Sequence, residues 1–300
     1  MVDFCYSIIR KHWNGKSRLL AYRCIKVFLY LVYPLYIKVA ARTGVNTESS
    51  VIVSLTSFPP RMDKIHLVIE SILRQTTPPQ KVILWLAKEQ FDGISLPDSL
   101  LKLQKYGLEI SYCEDLRSHK KYYPAMKAYP DATIITADDD MIYPERWIER
   151  LTETANKYPN TVICMQMRRI LLSEEGQLLP YEQWPSHVTG IDAPRFDLMP
   201  VGCLGVLYPP GVMHEDIFDK DFFMSACRNA DDLWLKAMSL MNRTKVMTAD
   251  PNPISYVDLP SAKVEALNAV NVGMCENDIQ FRQILARYPQ ILDIIKKNGT

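Results

Sequence analysis

The stretch that most constrains the fold is Ala132 to Ala137, an apolar run with β-branched residues at its centre that ends directly in three carboxylates, Asp138, Asp139 and Asp140. Its residue types read as a buried strand. Met141-Ile142-Tyr143 follows, then Pro144-Glu145-Arg146-Trp147, where proline suits a first helical position and glutamate suits the positive end of a helix. The acids therefore belong to a turn between a strand and a helix, at the carboxyl end of the strand, where open α/β sheets hold ligands. Adjacent carboxylates repel by about 1 kcal/mol per close pair in water and about 4 kcal/mol at an effective dielectric of about 20. A solvated helix-entry turn tolerates this. A half-buried strand end needs a counter-charge, and Mg²⁺ or Mn²⁺ commonly supplies it by taking one or two carboxylates together with substrate phosphate and water. On the triplet alone both readings stand.

Upstream, Val51 to Leu55 reads as a buried first strand that opens into Thr56-Ser57-Phe58-Pro59-Pro60-Arg61. Ile65, Ile69, Ile72 and Leu73 recur at helical spacing and stop before Pro78-Pro79. Lys81 to Leu86 is a second strand, Pro97 to Tyr106 a helix closed by Gly107, and Leu108 to Tyr112 a third strand. Alternating strands and helices predict a doubly wound sheet. No Gly-x-Gly-x-x-Gly and no phosphate-loop lysine motif occurs, which argues against a dinucleotide-binding domain or a phosphate-loop nucleotidase. Asp115 to Pro124 contains Lys120 and Lys121 close to the carboxylates; they meet phosphates there or form a solvated helix face.

Beyond the triplet, Thr161 to Gln166 reads as a strand, Gln183-Trp184-Pro185 as a loop, and Val201 to Gly211 as a glycine-punctuated strand with a hard stop. Gly202 and Gly205 within it imply close approach of a ligand or of another backbone. Asn229 is placed to cap a helix whose first turn holds Asp231 and Asp232; acids there stabilise the helix dipole with or without a chemical role. From Asn277 the chain predicts an amphipathic helix, apolar at Ile279, Ile284 and Leu285, and after Pro289 a short basic end.

Charge divides the chain. Residues 1 to 45 hold eight Lys/Arg and one acid, Asp3, for a net of +7, and the remainder is net −6. That asymmetry predicts an attachment segment ahead of a catalytic or binding body, and the acidic body disfavours nucleic acid as a partner. The uninterrupted apolar run Val27 to Ile37 is 11 residues broken at Pro34, about 16 Å as a helix and roughly half of a hydrocarbon core. The segment is therefore expected to lie on a membrane surface without spanning it: Lys16, Arg23, Lys26 and Arg18 gather on one side, and Leu19, Leu20, Cys24, Leu31 and the aromatics Tyr22, Phe28 and Tyr30 fill the rest. The alternative is a basic helix packed on the acidic body. Seven scattered cysteines (5, 24, 113, 164, 203, 227, 275), with no Cys-x-x-Cys, point to a reducing cytosol.

In combination, the loop after the first strand (Val53 to Pro59), Thr136-Ala137-Asp138-Asp139-Asp140, Gly202 to Gly211 and Ala230-Asp231-Asp232 resemble the GT-A glycosyltransferases, in particular bacterial family-2-like enzymes of surface polysaccharide synthesis, over about residues 50 to 290. The resemblance implies an α/β fold, a mostly parallel Rossmann-like sheet flanked by helices, with an N-terminal amphipathic segment (1–48) and a transferase domain (49–300) made of a nucleotide-sugar half (49–145) and an acceptor half (146–300). It implies an inverting, metal-dependent transfer, with Mn²⁺ or Mg²⁺, of a sugar from a nucleoside diphosphate sugar such as a UDP-sugar to a saccharide or lipid-linked acceptor, at the inner face of the plasma membrane.

By the same resemblance Thr56, Ser57, Phe58, Pro59, Arg61, Lys120, Lys121, Asp138 and Asp139 hold the donor, Asp140 and Asp138 hold the metal, and Asp232 or Asp231 is the base. No histidine follows Asp232, so a histidine ligand would have to be His214 or another upstream residue. Gly202, Gly205, Trp184 and Trp234 are the candidate sugar contacts. The acid pair is Asp-Asp where many relatives have Glu-Asp, so the choice of base stays open. Two rivals remain. A sugar-nucleotide-forming nucleotidyltransferase would want a glycine-rich, basic loop after the first strand, which is absent; a non-catalytic membrane-surface module would explain the basic N-terminus alone.

Overall fold

The computed structural model describes residues 1–11, 15–186, 188–252, 254, 256–259 and 276–297; Cys275 lies outside them. The apolar runs form a seven-stranded sheet of β1 (Val51–Thr56), β2 (Lys81–Ala87), β3 (Leu108–Cys113), β4 (Thr133–Ala137), β5 (Val162–Cys164), β8 (Val206–Tyr208) and β9 (Val246–Thr248), in the order β3-β2-β1-β4-β8-β5-β9. A separate ribbon pairs β6 (Met167–Arg169) with β7 (Leu198–Pro200). β1 pairs in parallel with both β2 and β4, and β8 alone runs antiparallel to its neighbours β4 and β5. The fold is thus α/β, a mostly parallel sheet flanked by helices.

Both faces of the sheet are covered, which is why the strands read as continuous apolar runs and not as alternations. Val51, Val53, Leu55, Ile135 and Ala137 point to one core, and Ile52 and Ile134 to the other face. The first face is packed by helices α1 (Val2–Lys11), α2 (Gly15–Val39) and α3 (Ile65–Ile72). Short helices α4 (Lys88–Phe91), α5 (Asp98–Leu101) and α6 (Tyr123–Ala128) connect the strands, and α7 (Trp147–Lys157) follows the acidic turn. On the opposite face of β8-β5-β9, α8 (Lys220–Ala226), α9 (Asp231–Met241) and the helices Glu276–Arg287 and Gln290–Lys296 enclose a second core. In the first of these last two, Ile279 is exposed, while Phe281 and Ile284 make the buried contacts.

Two elements differ from expectation. The eleven-residue glycine strand is a 3₁₀ turn, Gly202–Leu204, followed by the three-residue β8. Gly205 stands between them at φ +97°, and a Cβ there would come within 2.3 Å of the Trp147 ring, so its glycine serves helix–sheet packing. The N-terminal segment also departs from the reading of a short apolar run. α2 continues through Pro34 for 25 residues, and by length and composition Lys16–Val39 would suffice to cross a membrane. One side of it nevertheless packs on the body, through Ile25, Leu29, Tyr33 and Ile37. α1 is tied down at its positive end by Glu145, whose carboxylate accepts from the terminal amine (2.7 Å) and from the N–H groups of Val2 and Asp3. Glu145, expected to favour the start of its own helix, favours that of α1 instead.

Candidate active site

β4 delivers the acidic triplet to its carboxyl end. Each acid meets a different environment there. Asp139 is buried; it accepts from Ser57 Oγ (2.5 Å) and is ion-paired with Arg61, both from the loop after β1. Burial pushes its carboxyl up, and Arg61 and Ser57 offset this only in part. Arg61 also reaches Asp140 Oδ2 at 2.9 Å and lies 5.3 Å from the centre of the Phe58 ring. Asp140 must share that guanidinium, and burial with the neighbouring Asp138 and Asp139 raises its carboxyl to about 7. Asp138 pairs with Lys121 (3.0 Å), and its N–H donates to the Tyr143 hydroxyl (2.8 Å), which donates in turn to the Cys203 carbonyl (3.2 Å). Thr56 turns its hydroxyl back to the Trp85 carbonyl (2.8 Å).

The decisive side chain is Lys121. It closes the 3₁₀ turn Arg117–Lys121, and its carbonyl accepts from Ser54 Oγ on β1 (2.6 Å), which fixes the turn over the sheet. Its buried ammonium lies between Asp138 and Asp231 Oδ2 (2.9 Å). Burial alone would lower its pKa, but Asp138, Asp231 and Asp232 hold it charged, well above the usual lysine range. One cation therefore joins the strand-end triplet to the helix-start pair. Asp231 is buried, yet Lys121 and His119 hold its carboxyl below the usual range. Asp232 is partly exposed. It accepts from the Gly202 N–H (2.9 Å), and burial and Asp231 raise its carboxyl to about 7 against the pull of Lys121 and Gly202. A Cβ on Gly202 would come within 2.5 Å of Asp232 Oδ1 and 3.1 Å of Lys121 Nζ. The close approach expected at this glycine is thus to these side chains. Asn229 does not cap the helix; Ala230 occupies the cap position without a side-chain bond.

Several candidates lie elsewhere. Trp184 and Trp234, expected at the sugar, are core residues whose indoles donate to the carbonyls of Leu179 (2.9 Å) and Ile217 (3.2 Å). Gly205 packs on Trp147, as above. Lys120 is buried and bound to Asp115 (2.5 Å), with no phosphate-facing surface. His214 is no partner for Asp138 or Asp140: the antiparallel pairing of Ile134 with Tyr208 carries the chain beyond β8 toward the start of β4, opposite to the acids. There His214 lines a cavity of about 190 Å³ with Met126, Tyr129 and Tyr208. Among the described residues no group of three His, Cys, Asp or Glu forms a metal cage.

Sequence reasoning overlooked three residues: Tyr143, His119 and Asp258. Buried His119 bonds the Cys227 carbonyl through Nε2 (2.9 Å), so Nε2 carries the proton and Nδ1 faces the Tyr122 hydroxyl; burial lowers its pKa to about 4. Asp258 bridges to Met141 beside the triplet, and the Leu259 N–H donates to the Asp140 carbonyl (2.6 Å). Only Tyr143, five residues after Asp138, had a usable sequence signal, as a polar-tipped residue in an otherwise apolar Met-Ile-Tyr step.

No protein-family model matches the chain, and no curated protein matches it. Among solved structures, it is similar to S. aureus TarS residues 1–349, with a TM-score of 0.45 and 14% identity over 82% of this chain and 70% of that one. The same protein in complex with UDP-GlcNAc gives a TM-score of 0.47 and 14% identity over 82% and 71%. The mannosyltransferase PcManGT of Pyrobaculum calidifontis, in complex with GDP-Man and Mn²⁺, gives 0.47 and 10% identity over 98% and 80%.

Proposed function

We propose that the chain is a glycosyltransferase that moves a sugar from a nucleoside diphosphate sugar to an acceptor hydroxyl with inversion. The observation that carries this reading is the Lys121 bridge, which sets a strand-end acid cluster suited to a diphosphate against a partly exposed carboxylate suited to taking a proton. In this reading Asp232 accepts the acceptor's proton. Its carboxyl titrates near 7, where a general base is most effective at neutral pH, and the Gly202 N–H orients it. Lys121 favours the ionised form of Asp232, and the neighbouring Asp231 opposes it. The Ser57 to Arg61 loop shapes the donor side.

A divalent cation fits the triplet. Asp138 and Asp140 would hold it, because Asp140 has only a shared guanidinium for three clustered acids, and burial together with Asp138 and Asp139 raises its carboxyl. Hard carboxylate oxygens suit Mn²⁺ or Mg²⁺, and with few protein ligands the remaining positions would be filled by diphosphate and water. Such an ion neutralises charge on a leaving diphosphate as a Lewis acid. The six described cysteines are all free, in keeping with work on the cytoplasmic side of a cell.

The test is a panel of nucleotide sugars, with and without Mn²⁺, followed both by release of nucleoside diphosphate and by thermal stability. The reading expects metal-dependent stabilisation by at least one nucleoside diphosphate, and slow donor hydrolysis that Asp232→Asn reduces. If no nucleotide stabilises the protein under any metal condition, the reading fails.

A further inference from the structure

α2 has two unlike sides. Ile25, Leu29, Tyr33 and Ile37 are buried against the body, and Lys26 and Tyr22 reach Asp258 Oδ1 at 2.7 and 2.9 Å while Tyr30 bonds the Asp258 carbonyl. At the far end, Arg74 caps the helix by donating to the carbonyls of Ile37 and Ala40 (both 2.7 Å). The opposite side carries Leu20, Val27, Phe28, Leu31, Leu35 and Val39, between 43 and 86% exposed. Their spacing keeps them on one stripe of the helix along nearly its whole length. Scattered exposed apolar residues need no explanation, but a continuous stripe does.

Charge decides what covers it. α2 contains five basic and no acidic residues. Lys16, Arg23 and Lys38 are exposed along one border of the stripe, and none forms an ion pair among the described residues. A second copy meeting this face about a twofold axis would set like charges beside each other with no acid on either helix to answer them. An apolar stripe bordered by cations matches the boundary between acyl chains and anionic headgroups.

We propose that the outward face of α2 lies flat in an anionic lipid surface. The helix is held to the body along its other side, so it enters the boundary layer and does not cross the bilayer. The stripe differs from the side expected from sequence, because Lys26, Tyr22 and Tyr30 turn inward to Asp258 and Val27, Leu35 and Val39 take their place outside. The same Asp258 pairs with Met141 beside the acidic triplet, so the lipid-facing helix and the candidate donor site share one fixed residue.

The test uses the full chain and sedimentation with vesicles of phosphatidylcholine alone or mixed with phosphatidylglycerol; it needs neither donor nor acceptor and is independent of the transferase reading. Binding is expected only to the anionic vesicles and should weaken as salt is raised. Lys16→Gln and Arg23→Gln should each lower the partition coefficient by roughly fivefold. The double variant Leu31→Glu/Leu35→Glu should lower it by more than about tenfold while leaving the thermal midpoint unchanged, since both side chains already face outward. Absence of binding to anionic vesicles at low salt overturns the proposal. So does retention of the full chain in carbonate-washed membranes, which marks a spanning helix, or a lipid-free dimer that the double variant dissociates.

Discussion

The acidic triplet at the end of β4 and the acidic pair at the start of α9 solve the same problem differently. In each, burial crowds carboxylates together and leaves one titrating near 7: Asp140 in the first, Asp232 in the second. The triplet is served by Arg61 from a loop and by a share of Lys121, three acids against less than two cations, and Asp138 and Asp140 remain partly exposed. The pair is served by Lys121, by a backbone N–H and by a helix N-terminus, all of them fixed parts of the fold. In the proposed reading, the triplet takes further charge from outside and the pair accepts a proton. Substitutions should therefore separate the two in kind as well as in size.

The largest effect is expected from Asp232→Asn, which removes the proposed base and should reduce transfer by about 10² to 10⁴-fold while nucleotide affinity stays unchanged. Measuring the turnover and binding of a donor side by side checks this. Equal losses in both would assign Asp232 to the donor and erase the contrast. Asp231→Asn should behave differently, because it deprives buried Lys121 of a partner and so acts on stability first.

Lys121→Met comes next, since it touches both groups. Breaking a buried pair by removing one partner costs about 3–5 kcal/mol, so the thermal midpoint should fall by roughly 10 °C. Lys120→Met, which strips a cation from Asp115 alone, should leave the pH dependence of the reaction as it is. If Lys121→Met proves as stable as the wild type, the bridge does not hold the two halves together.

The contrast also shows what the sequence could tell. The strands, the acidic turn and the place of Asp231 and Asp232 were legible because each follows from local pattern: β-branched runs, turn residues and acids in a first helical turn. The linkage was not legible. Lys120 and Lys121 are adjacent and chemically alike, and only the inward fold of the 3₁₀ turn, pinned by Ser54, sends one to Asp115 and the other between Asp138 and Asp231. Trp184 and Trp234 read as ligand contacts from sequence, because a tryptophan on a loop or beside an acid looks the same whether it packs or binds. α2 outran its apolar run because tertiary contacts on one side carry a helix through Pro34.

A smaller effect concerns the triplet. If Asp138 and Asp140 await an external cation, Mn²⁺ with a nucleoside diphosphate at about 100 times its dissociation constant should stabilise the protein by about 2.7 kcal/mol, and chelator should abolish the gain. Asp140→Asn should lose it too, with little loss of stability in the absence of ligand, because Asp140 is a poorly compensated charge. Full stabilisation in excess chelator would show that Arg61 suffices as the counter-ion and that the triplet resembles the pair after all.

The smallest effect should come from Gly202→Ala, which probes how finely the pair is set. Asp232 must be ionised to take a proton, so with its carboxyl near 7 the rate should fall about tenfold per pH unit below that value and level off above it. The Gly202 N–H lowers this pKa by favouring the anion, while a methyl group there would crowd Oδ1 at 2.5 Å and push the carboxylate off its donor. A weakened bond to the charged form raises the pKa, so the acid limb should move to higher pH by about half to one unit. The plateau rate should change less than the position of the limb, since the base itself is retained. A limb that stays in place would mean that burial, Asp231 and Lys121 set the charge of Asp232, and that the backbone donor only orients it.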